Sequence, residues 1–146
     1  MIYTVDDTKY LDYIHACGEI LGIQDSLTDI TIEFKTKCDY DAGGFCHGDT
    51  DDVEIEIATH VQGEELPDED VMRNIAHEMI HAQQIIDGRL ENVGLQLLQS
   101  GDSQSLVNVV VWDKERYVNT PYADQPWEID AYSREERVMN EALSNV

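Results

Sequence analysis

The stretch from Pro67 to Gly88, PDEDVMRNIAHEMIHAQQIIDG, leaves this chain the least freedom. Ile75, Ala76, Met79 and Ile80 supply an apolar surface at helical spacing, enough to bury the segment in a core. Pro67 is tolerated in a first helical turn, and Asp68, Glu69 and Asp70 suit the positive end of the helix dipole. Asp87-Gly88 gives a stop, because Gly adopts the left-handed cap freely. A helix of this kind must be covered on its apolar side, so the rest of the chain has to supply a packing layer.

Inside this helix stands His77-Glu78-Met79-Ile80-His81. Side chains four apart lie one above the other, so both imidazoles reach a single ion from one rigid face. Glu78 falls beside the open coordination position, where it can take a proton from water and hand it to a leaving amine. Zinc lowers the pKa of bound water towards about 7, which makes hydroxide available at neutral pH. The competing reading is a His pair that merely decorates an amphipathic helix. The spacing of all three residues and their apolar flanks favour the metal.

A catalytic zinc needs a third protein ligand. The metzincin pattern would place His six residues after His81 and Gly at 84, but those positions hold Asp87 and Gln84, which excludes it. His15, His47 and His60 all lie upstream. Downstream, Pro126-Trp127-Glu128-Ile129-Asp130-Ala131-Tyr132 opens a last helix, with Pro126 setting its start and Trp127 anchoring it. A carboxylate in that first turn, Glu128 or Asp130, can face the His pair across a helix–helix packing.

With HEMIH on one helix and PWEIDAY on a later one, the chain resembles the gluzincin metallopeptidases. It is most similar to the small SprT-like and ImmA/IrrE-like members, including short forms from bacteriophages. The later helix of those proteins often reads E-x-x-A, as Glu128-Ile129-Asp130-Ala131 does here. The resemblance covers roughly residues 40–140 and implies Glu128 as the third ligand, with Asp130 as the rival. Trp112, Tyr117 and Tyr122 are weaker points of likeness. Thermolysin-type relatives often carry Asp four residues after the ligand Glu. Tyr132 stands there instead, so support for the histidines must come from elsewhere, Asp130 being one source.

Elsewhere the pattern alternates between helix and strand. Residues 8–22 show a helical period through Tyr10, Leu11, Ile14, Ala16, Cys17 and Leu21, with Asp6 or Asp7 as the expected cap. Residues 28–35 and 53–59 alternate as half-buried strands. Between them lies CDYDAGGFCHGDTDD, a loop or tight hairpin in which residues 43–47 can form a short strand that turns at Gly48-Asp49. Residues 93–99 and 106–112 read as strands about the turn SGDSQS, and a last helix runs from Pro126 to about Leu143. The expected fold is α+β, a single zincin-like domain over residues 1–146, with a small, mostly antiparallel sheet packed on the HExxH helix.

Thirty-one acidic residues oppose nine basic ones, a net charge of −22. Such a surface repels phosphate backbones and anionic headgroups, which argues against direct nucleic-acid binding. The SprT-like proteins that act at DNA carry basic segments, and this chain has none, so that role is not carried over. The N-terminus lacks the features of a signal peptide, and no apolar run approaches a membrane span. Three cysteines, Cys17, Cys38 and Cys46, suit a reducing setting, so a cytoplasmic location is expected, in a host cell if the chain is phage-encoded.

Cys38, Cys46 and His47 do not form a recognised zinc pattern, and Asp49, Asp51 and Asp52 lack the ligand order of a calcium loop. Tyr117 or Tyr122 is a candidate hydrogen-bond donor to an oxyanion. The resemblance to gluzincins implies that the strand before the active helix, near His47, offers an edge to an extended peptide. The leading expectation is a zinc-dependent peptidase acting on peptide or protein substrates. The alternatives are a non-catalytic zinc-binding module and an acidic interaction protein.

Overall fold

The computed structural model describes residues 1–146. Four strands form the main sheet: β1 (Ile2–Val5), β2 (Asp29–Lys35), β3 (Gly44–Gly48) and β4 (Asp52–Ala58), in the order β1-β2-β4-β3. Helix α1 (Leu11–Leu21) connects β1 to β2. A short hairpin follows, β5 (His60–Val61) with β6 (Glu64–Glu65), and leads into α2 (Asp68–Ile86). Three antiparallel strands come next, β7 (Leu90–Ser100), β8 (Ser103–Trp112) and β9 (Glu115–Val118). The chain ends in α3 (Pro126–Ser144).

The α+β character holds, but the main sheet is mixed rather than mostly antiparallel. β1 pairs with β2 and β2 with β4 in parallel, and only β3 runs against β4. The reason lies in β1. It is a four-residue strand, too short to show a period, and the helix that follows it brings the chain back in the same direction. β9, also four residues long, shows no readable period. The cap of α1 also differs. Tyr10 occupies that position without capping the helix, its hydroxyl donating to Asp68 instead, while Asp7 accepts from the Lys9 amide and Asp6 from the Phe34 amide of β2.

The core forms where alternating strand residues meet the helices. Ile30 and Ile32 of β2 and Val53, Ile55 and Ile57 of β4 are buried on one face of the sheet. Ile14, Cys17 and Leu21 of α1 and Val71, Ile75, Met79 and Ile80 of α2 pack into the same cluster. Trp127, Ala131, Val138 and Met139 of α3 close it from the other side. Helix α2 is thus covered by β3 and β4 on one flank and by α1 and α3 on others. That placement also buries its polar residues His77, Glu78, His81 and Gln84. Buried polar groups are costly unless they are paired, so each of these four side chains needs a partner. No helix is long and apolar enough to cross a membrane.

Candidate metal centre

Helix α2 presents His77 and His81 one turn apart, with ring centroids 4.8 Å from each other. Their Nε2 atoms lie 3.2 Å apart. Glu128, in the first turn of α3, reaches across the helix packing and puts Oε1 2.9 Å from the Nε2 of His77 and 2.8 Å from that of His81. Pro126 opens α3 at that point, and the buried Trp127 anchors the turn, so the carboxylate is set by rigid backbone. His77, Glu78 and His81 form a buried group whose donor atoms all lie within 4.8 Å of one another, close enough to hold a metal ion.

The protonation pattern around the rings shows what the centre can bind. The Gln84 amide nitrogen donates to the Trp127 carbonyl and to Asp130 Oδ2, at 3.0 and 2.9 Å, both of them acceptors. This orients the amide and leaves Gln84 Oε1 as the acceptor for the Nδ1–H of His81 at 2.7 Å. The Nδ1–H of His77 likewise donates to Glu135 Oε2 at 2.7 Å. With both Nδ1 atoms protonated, each neutral ring has only a lone pair at Nε2. Two lone pairs and a carboxylate oxygen then converge on one point, an arrangement that repels itself unless a cation is present.

In the bare protein, protons take that role. Burial opposes charge on His77, but Glu128, Glu78 and Glu135 outweigh it and lift the imidazole to about 9. The same balance raises His81. Burial pushes Glu128 up, yet its bonds to the two imidazoles bring it down to about 2. A divalent ion bound by nitrogen and oxygen ligands would replace those protons with a larger charge, so the donor set fits such a metal.

Glu78 belongs to this cluster but lacks a hydrogen-bond partner at one oxygen, the buried Oε2. Burial raises its carboxyl to about 7. The residue lines a cavity of about 340 Å³ shared with Gly44–Cys46 of β3, Leu90 and Asn92 of β7, and Tyr122. Gly44 permits that approach: a Cβ there would lie 3.0 Å from the Glu78 Cγ and 2.9 Å from the Glu56 carbonyl.

Residues named from the sequence separate cleanly. Tyr122 sits at the cavity, its hydroxyl 2.8 Å from that of Tyr132 and 3.4 Å from Glu128 Oε1. Tyr117 does not approach the centre: its ring packs edge-on against Trp127 and its hydroxyl faces Glu115. Asp130 is bound by Arg134 at 2.7 Å and by Gln84, so it supports His81 at one remove. Tyr132 packs its ring 4.5 Å from that of His77. Strand alternation sends Cys46 to the cavity, while the exposed His47 pairs with Glu54 at 2.8 Å. Asp49 caps its own turn by accepting from the Asp51 and Asp52 amides.

Two residues at the centre, Glu135 and Gln84, lie outside the HExxH and Glu128 motifs. Each carried a signal in its spacing. Glu135 lies seven residues after Glu128 and Gln84 three after His81, both helical intervals that return to the same face.

The sequence matches no protein-family model, and no curated protein or solved structure shows significant similarity to it.

Proposed function

We propose that this chain is a zinc-dependent metallopeptidase of zincin-like, gluzincin type, with His77, His81 and Glu128 as metal ligands and Glu78 as general base. The observation that carries this reading is the convergence of three acceptor atoms on one point, with both Nδ1 protons already committed elsewhere. Zinc suits two imidazoles and a carboxylate, and a catalytic site keeps one position open. A structural zinc site would close with a fourth protein ligand. Here a cavity adjoins the centre instead.

When bound, the metal supplies Lewis acidity, polarising a peptide carbonyl and lowering the pKa of water. Glu78 lines the cavity beside the ligands with a buried carboxylate oxygen left unpartnered, placed to accept a proton. It takes the proton from the attacking water as the C–O bond forms. It then delivers that proton to the amide nitrogen as the C–N bond breaks, giving a carboxylate and an amine. The Tyr122 hydroxyl can donate to the carbonyl oxygen as negative charge develops on it. Glu135 and Gln84 hold the two rings in the tautomer that turns Nε2 to the metal. The substrate enters beside β3, whose outer edge is free and can pair with an extended peptide.

The test compares wild type with Glu78→Gln. Both should hold about one zinc per chain by elemental analysis. Only the wild type should cleave a mixed peptide pool. Undiminished hydrolysis by Glu78→Gln would overturn the mechanism.

A further inference from the structure

The β7–β8 hairpin carries a surface that the centre does not use. Leu97 stands opposite Leu106, and Leu95 lies two residues along the same strand, so pleating brings all three to one face. They are 59%, 68% and 72% exposed, respectively. Between Glu91 and Asp113 the sequence has one charged residue, Asp102, although the chain as a whole carries −22. β7 is also an edge strand, paired with β8 on one side and making no backbone ladder on the other. Its first residues, Leu90 and Asn92, stand in the wall of the cavity that holds Glu78. A bulge between Asn92 and Gly94, where Gly94 has a φ of 92°, separates that stretch from the exposed one.

We infer that the distal hairpin is a docking arm for an extended, apolar stretch of the polypeptide substrate. This rests on the peptidase reading and adds a substrate class to it. The substrate backbone pairs along the open edge of β7, and its apolar side chains cover Leu95, Leu97 and Leu106. A neighbouring stretch of the same polypeptide then enters the cleft where β7 begins. Continuity of β7 with the cavity names the substrate as occupant, and charge excludes two others. A second copy brings another −22 and is repelled, and so is an acidic segment. A neutral, apolar segment approaches the arm without that opposition.

The experiment uses full-length Glu78→Gln protein with zinc, which binds without turnover. Fluorescence anisotropy is read with a labelled uncharged peptide of about 16 residues, long enough at about 3.3 Å per residue to span cleft and arm. A peptide of about six residues covers the cleft alone. Adding Leu95→Ser, Leu97→Ser and Leu106→Ser should weaken the long peptide at least about tenfold and leave the short one unchanged. These positions are exposed, and an unaltered circular dichroism spectrum checks the fold. In protein with Glu78 intact, the same triple change should raise KM for the long peptide and spare kcat. Equal affinity of both backgrounds for the long peptide would overturn the inference. So would a dimer by sedimentation that the triple change dissolves while peptide affinity stays the same. Arm-dependent binding in a protein that never hydrolyses any peptide would uphold the arm and remove the peptidase reading instead.

Discussion

Removing the Glu135 carboxylate should weaken zinc binding without touching any ligand. The bond from His77 Nδ1 to Glu135 Oε2 is 2.7 Å long, between side chains only 9% and 16% exposed. A charge-assisted bond of this kind contributes about 1.5–3 kcal/mol. It also fixes the tautomer that turns the His77 Nε2 lone pair to the ion. Glu135→Ala leaves a buried N–H without its acceptor, though water can enter from the exposed side of the residue. The expected loss of zinc affinity is about 10- to 100-fold, or about 1.4–2.8 kcal/mol. Glu135→Gln keeps an acceptor and loses the charge, so it should cost about half as much free energy. Competition against a chromophoric chelator at fixed pH measures both. The exposed neighbour Glu136 is the control, since Glu136→Ala removes a charge at the next position without a bond to the ring. If Glu135→Ala holds zinc within about twofold of wild type, the claim that this carboxylate orients His77 is refuted.

From the titration of His77, Glu78 and Glu128, metal-free protein should be most stable near pH 4.5 by thermal melting, and less so on either side. The contribution of His77, lifted to about 9, is complete below its ordinary 6.5 and is lost as pH rises through 9. Glu78, raised to about 7, adds a growing cost as pH climbs from 4.5, and Glu128, lowered to about 2, loses its contribution as pH falls from 4.5. Zinc replaces protons on the imidazoles, so the loaded protein should gain melting temperature relative to the metal-free form as pH rises from 6 to 8. A parallel pH profile for the two forms would contradict this. Tyr122→Phe should lower kcat by about 10²-fold with little change in zinc content, if its hydroxyl serves the oxyanion. An unchanged kcat would assign the residue to the cleft wall alone. Trp127→Ala should destabilise the fold by about 3–5 kcal/mol in urea titration, because a large core side chain is removed beside the ligand turn. A loss under about 1 kcal/mol would show that Trp127 does not anchor that turn.

Local chemistry made the helices and the centre's first residues legible. The run from Asp68 to Ile86 carries its own period, acidic first turn and stop, all set by neighbours within one or two turns. His77 and His81 share a face, with Glu78 on the adjacent side, because helix geometry dictates it. Pro126 marked the start of α3 for the same local reason. Even Glu135 and Gln84 had the right spacing, but seven residues on a helix also place ordinary core and surface residues together, so spacing did not single them out.

What the chain's own neighbours could not decide is which faces meet. β1 is short, and its parallel place beside β2 depends on where α1 returns it. Whether Glu128 or Asp130 of the same turn meets the imidazoles depends on how α3 rotates against α2, since both carboxylates have similar reach. Packing around Trp127 and Ala131 sets that rotation, turning Asp130 towards Arg134 and Gln84 and Glu128 towards both Nε2 atoms. The exposed leucines of β7 and β8 have the same origin: alternation alone promises a buried face, and only the assembled fold leaves that face without a layer above it.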